Sequence, residues 1–72
     1  MNSDKPAYRV GLIGCGRKGH GHARGYVGNP HTELVAAADS DTDNLDIFTQ
    51  RFGVTGYADY HEMLSSERLD IA

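Results

Sequence analysis

Gly14-Cys15-Gly16-Arg17-Lys18-Gly19 carries the spacing G-x-G-x-x-G. Each glycine answers a physical need. Gly14 makes the tight turn out of a strand. Gly16 lets backbone approach a pyrophosphate with no Cβ in the way, and Gly19 lets the following helix pack close to that strand. A helix opened by such a loop points unpaired N–H groups and its positive dipole end at an anion. The N–H groups around Arg17 and Lys18 are the expected donors, and their side chains add Coulomb attraction at the rim. Asp39 follows Gly19 by 20 residues, at the end of an apolar run. An acid there accepts hydrogen bonds from the ribose hydroxyls of an adenosine. Cys15, in the loop's first variable position, and Ser40, directly after the acid, complete the expected cofactor-binding set. The Asp39 carboxylate repels a 2′-phosphate and no arginine follows it at once, so the pattern favours NAD over NADP.

Other residue types could do other chemistry, and the spacing favours none of it. His20, His22 and His31 lie near Cys15, but the pattern matches no zinc motif and there is one cysteine. The expectation is no metal, with His22 packed under the loop and His20 facing solvent. A helix N-terminus can lower a thiol's pKa, but a packing role suits Cys15 better. Phe48, Phe52, Tyr57 and Tyr60 read as core residues at helical spacing rather than as a stacking surface. Asp59 and Glu62 have the spacing of a capping box, which explains both without catalysis.

The motif needs a strand before it and a helix after it. Tyr8 to Ile13 is a short apolar run between Pro6 and Gly14, as expected of a strand buried on both faces. A helix is expected beyond the glycine cluster 14–21, reaching about Val27, with Ala23, Tyr26 and Val27 on one side and Gly28-Asn29-Pro30 ending it. Glu33 to Ala38 reads as the second strand. Asp41 then caps a helix with Leu45, Phe48 and Phe52 on one face, and Gly53 takes the left-handed position at its end. Val54 to Tyr57 is a short third strand. A third helix follows with Tyr60, Met63 and Leu64, and Leu69 to Ala72 is the first step of a fourth strand. Strand and helix alternate throughout, which implies a parallel sheet. The expected fold is α/β, the N-terminal half of a doubly wound dinucleotide-binding domain over residues 1–72, cut at the start of its fourth strand.

Composition narrows the classes. The 72 residues carry a net charge of −3, unevenly spread. Up to His31 the charged residues are Lys5, Arg9, Arg17, Lys18 and Arg24 against Asp4, a balance of +4. From Thr32 the two arginines, Arg51 and Arg68, face nine acids, a balance of −7. A basic patch beside a glycine loop suits a phosphate ligand, whereas the acidic remainder argues against nucleic acid. No run approaches the roughly 20 apolar residues of a membrane span. The polar segment 1–6 lacks the apolar core of a secretory signal. One cysteine and no disulfide framework fit a reducing, cytoplasmic setting.

Beyond the glycine motif, the stretches Val10 to Ala23, Leu34 to Asp39, Arg51-Phe52-Gly53, Tyr57-Ala58-Asp59-Tyr60 and Leu69-Asp70-Ile71 together resemble the N-terminal part of the glucose–fructose oxidoreductase / inositol dehydrogenase (Gfo/Idh/MocA) family. The His-Ala pair after the loop and the Phe-Gly and Tyr-x-Asp-Tyr segments are more particular to that family than the glycines. The resemblance implies an NAD(P)-dependent oxidoreductase acting on a sugar or cyclitol, a second substrate domain and often a homo-oligomer. It carries cofactor roles onto Gly14, Gly16, Arg17, Lys18, Gly19 and Asp39. It carries no catalytic role, because the family's catalytic lysine lies in a Glu-Lys-Pro motif and the lysines here are Lys5 and Lys18. The alternative expectation is a non-catalytic nucleotide-binding sensor or regulator.

Overall fold

The computed structural model describes residues 8–72; the polar segment 1–6 discussed above lies outside the described residues. Six elements alternate: β1 (Tyr8–Ile13), α1 (Arg17–Val27), β2 (Thr32–Ala38), α2 (Thr42–Phe52), β3 (Thr55–Tyr57) and α3 (Tyr60–Ser66). The strands form one parallel sheet in the order β1-β2-β3. Beyond them Ile71 makes a single parallel bridge to Val10, on the β1 edge that β2 leaves free. The fourth strand is therefore present as one bridge.

The alanines of β2 decide how the layers pack. Successive strand residues point to opposite faces. Ala37 meets Cys15, Ala23, Leu45 and Phe48 on the α1/α2 side. Ala36 and Ala38 meet Met63 of α3 on the other side. Phe48 and Met63 are completely buried. Gly11 serves the same packing, because a Cβ there would lie 2.6 Å from the Leu69 side chain and 3.1 Å from that of Met63.

The helix ends follow local chemistry. The Asp41 carboxylate accepts from the N–H groups of Asp43 and Asn44, and Gly53 ends α2 at φ 66°. Asp59 accepts from the N–H of His61 at the start of α3. Glu62 contributes its backbone N–H to the Asp59 carbonyl, so the Asp59 side-chain bond lands one residue earlier than a full capping box would place it.

Four expectations are corrected. Helix α1 begins at Arg17 and takes in Gly19 and Gly21, instead of starting after them. Its buried residues are Gly19 and Ala23, while Val27 is exposed. The histidines exchange places: His20 is half-buried and His22 is exposed. The cause lies 28 and 32 residues on in the chain, where the rings of Phe48 and Phe52 pack against His20 at 5.1 and 5.6 Å. Tyr60 is not a core residue either, being 43% exposed.

Candidate functional site

The site forms where β1 and β2 end. Gly14 leaves β1 at φ 96°, a conformation other residues rarely adopt, and its N–H donates to the Ala38 carbonyl (2.9 Å). Gly16 is the N-cap of α1, and a Cβ there would meet nothing within 4 Å, so its outer side is open. Gly19 faces inward. A Cβ on it would run into the Gly14 carbonyl oxygen, which is why the helix can lie this close to the loop only with glycine.

The start of α1 differs from the starts of α2 and α3. Those two are capped by Asp41 and Asp59; α1 has no side-chain cap and no acid in its first turn. Its first N–H groups therefore lack the partner that the other helices find in their own sequence. Arg17 and Lys18 are exposed at this end. A cradle with an open Cβ side, unclaimed N–H donors and two cations is suited to a phosphate.

Asp39 is half-buried and locked in place. One carboxylate oxygen accepts from the Cys15 N–H (2.9 Å) and the other from the Asp41 N–H (2.9 Å). The acid thus fastens the glycine loop to the end of β2. A carboxylate has about four acceptor positions, so each oxygen keeps capacity for a ligand hydroxyl. Cys15 is buried, with its Sγ 3.7 Å from the Ala38 carbonyl oxygen. Burial first, and then the neighbouring Asp39 charge, push its thiol up to about 11. That thiol is a packing group and a poor nucleophile.

All eight residues expected at the site, Gly14, Cys15, Gly16, Arg17, Lys18, Gly19, Asp39 and Ser40, lie around this one edge. All but the buried Cys15 divide between two hollows. A cleft of about 540 Å³ is lined by Gly14, Asp39 and Ser40 together with Ala58, Asp59 and Tyr60. Another, of about 500 Å³, lies along Gly14, Gly16, Arg17, Lys18 and Gly19, with His22 at its rim. The three residues after β3 are not among those expected at the site, because the spacing reads Asp59 as a helix cap and Tyr60 as core. The signal that could have found them is topological: in an open parallel sheet a ligand crevice lies outside the carboxyl ends of the strands, and β3 ends at Tyr57. Among the described residues no group of three His, Cys, Asp or Glu is placed to hold a metal ion. No described helix is long and apolar enough to cross a membrane.

Comparison with known proteins bears on this geometry. A family model described as "Oxidoreductase family, NAD-binding Rossmann fold" (GFO_IDH_MocA) matches residues 8–72. D-Apiose dehydrogenase of Paraburkholderia graminis is 36% identical over 64 residues, which are 88% of this chain and 17% of that protein. The crystal structure of myo-inositol 2-dehydrogenase from Lactobacillus plantarum superposes with a TM-score of 0.80 at 37% identity, over 90% of this chain and 20% of that one. The WlbA dehydrogenase of Bordetella pertussis, solved in complex with NADH and UDP-GlcNAcA, gives 0.83 at 26% identity, over 92% and 21%. The chain thus spans about a fifth of the length of the relatives it matches. The fold is a Rossmann-like α/β arrangement, and the chain belongs to the Gfo/Idh/MocA oxidoreductase family with its NAD-binding Rossmann fold.

Proposed function

We propose that this chain is the dinucleotide-holding part of an oxidoreductase that moves hydride between NAD and a sugar or cyclitol hydroxyl. The observation that carries the reading is the uncapped N-terminus of α1, opening on an inward-facing Gly19 and an outward-open Gly16, with Asp39 fastened beside it. The N–H groups at the start of α1 would hold the pyrophosphate, with Arg17 and Lys18 adding charge at the rim. Asp39, fixed by the Cys15 and Asp41 N–H groups, would accept from the ribose hydroxyls. The cleft with Ser40, Ala58, Asp59 and Tyr60 would take the adenosine. When bound, the nicotinamide would supply the hydride chemistry; this chain's residues bind and orient the cofactor.

The substrate class rests on the relatives, whose names are those of apiose and inositol dehydrogenases. The preference for NAD rests on Asp39, whose negative charge opposes a 2′-phosphate, and on the relative solved with NADH. The test is a pair of measurements on the intact protein. Titration with NADH, followed by fluorescence, should give a dissociation constant in the micromolar range, and a panel of sugars and cyclitols should support NAD reduction. Binding without turnover on any polyol would favour the sensor reading. Absence of binding to NADH and NADPH alike would sink both.

A further inference from the structure

A third hollow starts at Cys15, Gly16 and Arg17 of the cofactor edge and runs away from it. It lies between α1 and α2, has a volume of about 350 Å³, and is lined by Arg17, His20 and Arg24 on one side and Asn44, Ile47 and Arg51 on the other. Both triplets have the spacing i, i+3, i+7, so each is a single stripe along its helix. The stripes face each other because His20 packs on Phe48 and Phe52, drawing the two helices together beneath the groove. Three guanidinium groups are thereby gathered along one groove of a chain that is acidic overall. No carboxylate of the described residues lies within 4 Å of any of the three; the ion pair found is Arg9 with Glu67, elsewhere on the molecule.

The groove has built geometry as well as charge. The Arg51 guanidinium donates to His20 Nδ1 (2.9 Å) and lies over the Phe52 ring, 5.1 Å from its centre. Arginine can only donate, so His20 accepts at Nδ1 and carries its proton on Nε2. Nε2–H, the Asn44 amide and the remaining guanidinium N–H groups are then all available as donors. Arg24 and Arg51 sit in the last turns of their helices, where a cation also relieves the negative dipole end. That accounts for a cation on each helix, but not for their convergence on one groove with Arg17 and His20.

We infer that the α1–α2 groove binds a phosphate monoester, held by Arg24 and Arg51 with His20 between them. A dianion matched by planar, multidentate arginine donors is the ligand class that such a cluster recognises. The phosphate has two sources. The groove's upper end touches Cys15, Gly16 and Arg17, so a 2′-phosphate on a bound dinucleotide could enter it. A separate phosphorylated small molecule could lie along it, with Ile47, 60% exposed, as the apolar wall.

The experiment is calorimetric titration of the intact protein with ADP-ribose, 2′-phospho-ADP-ribose and glycerol 3-phosphate, repeated on R24Q/R51Q and on Ile47→Glu, which sets a carboxylate in the groove. All these side chains are exposed, so the variants should keep the parent's thermal midpoint. The expected result is a loss of tenfold or more for one of the two groove probes in both variants, with ADP-ribose within twofold of the parent. Loss for 2′-phospho-ADP-ribose alone assigns the groove to the dinucleotide; loss for glycerol 3-phosphate assigns it to a separate ligand. Unchanged affinity for both groove probes, or equal loss of ADP-ribose, overturns the proposal. If the parent fails to bind ADP-ribose, the dinucleotide reading falls, while glycerol 3-phosphate still reports on the groove.

Discussion

Asp39 holds the loop and the expected ligand with the same atoms. Both its oxygens accept a backbone N–H, from Cys15 and from Asp41. An amide in the same place can accept at one oxygen only and must turn its NH₂ toward the other N–H, donor against donor. D39N should therefore cost about 1–3 kcal/mol of fold stability. In the intact protein it should weaken ADP-ribose by roughly tenfold or more, the worth of a charge-assisted hydrogen bond. It should weaken 2′-phospho-ADP-ribose less, because the repelling charge is gone. Equal losses for the two ligands would show that the charge plays no part in choosing between them. Cys15 makes the second residue-scale prediction. With its thiol pushed from 9.0 to about 11, the thiolate at pH 8 should be about 100-fold scarcer than for an unperturbed cysteine. Reaction with an aromatic disulfide reagent should be slowed at least that much and restored by denaturant. The sign for stability follows from the raised pKa. Folding favours the neutral thiol, so its contribution is complete below pH 9 and is lost as pH rises through about 11. An alkaline thermal-melt series should show this loss, and the C15A variant should lack that part of it.

Gly19 and Gly21 lie on the same helix and should respond oppositely to one added methyl. At Gly19 the methyl meets the Gly14 carbonyl oxygen, which is backbone and cannot swing away. G19A should push α1 off the loop and destabilise by about 1–3 kcal/mol, as overpacking does. At Gly21 nothing lies within 4 Å, and G21A should stabilise by about 0.5–1 kcal/mol through helix propensity. Thermal melts of the two variants decide it; shifts of the same sign would refute the packing role given to Gly19. This contrast also marks what a sequence can reveal. Asp41, Gly53 and Asp39 were legible because each acts through neighbours a few residues away or through a fixed interval from the glycine motif. The start of α1 was not. Gly19, Gly21 and Gly25 weaken the helix propensity, but close packing of Gly19 on the loop and of Ala23 in the core overrides that weakness. Nor was the orientation of His20 legible, because the rings that hold it come from α2. The α1–α2 groove is hidden for the same reason: each stripe looks like an ordinary solvated face until the two helices are known to be neighbours. Tyr60 was misjudged because Met63 alone, of its helix, supplies the fully buried contact.

On the scale of the whole molecule the two edges of the sheet are unequal. On the β1 side the ladder consists of the Gly11 N–H to the Ile71 carbonyl (2.9 Å) and the Asp70 and Ile71 N–H groups to the Arg9 carbonyl (2.8 and 3.1 Å). Side chains reinforce this short contact. The Arg9 N–H reaches the Asp70 carboxylate (2.8 Å), and its guanidinium reaches the Arg68 carbonyl (2.7 Å) and Glu67 (3.3 Å). Tyr57 donates to the other Glu67 oxygen (2.7 Å), which joins the end of β3 to the same cluster. Beyond Gly11 the bridge stops, and Ile13 is 48% exposed at the tip of β1. Leu64, on the same side of the sheet as Met63, is 44% exposed. An apolar strand with one bridged residue on its open side offers a template for another strand. Residues 1–72 expressed alone should therefore self-associate, eluting above monomer mass in size-exclusion chromatography with light scattering and melting without a sharp transition. Placing a charge at this tip, as in Ile13→Lys, should shift the population toward monomer, and because Ile13 also lines both hollows of the cofactor edge the readout is mass rather than ligand binding. A parent chain that is already monomeric and melts cooperatively would show that the Arg9 cluster and the single Ile71 bridge suffice to close the edge.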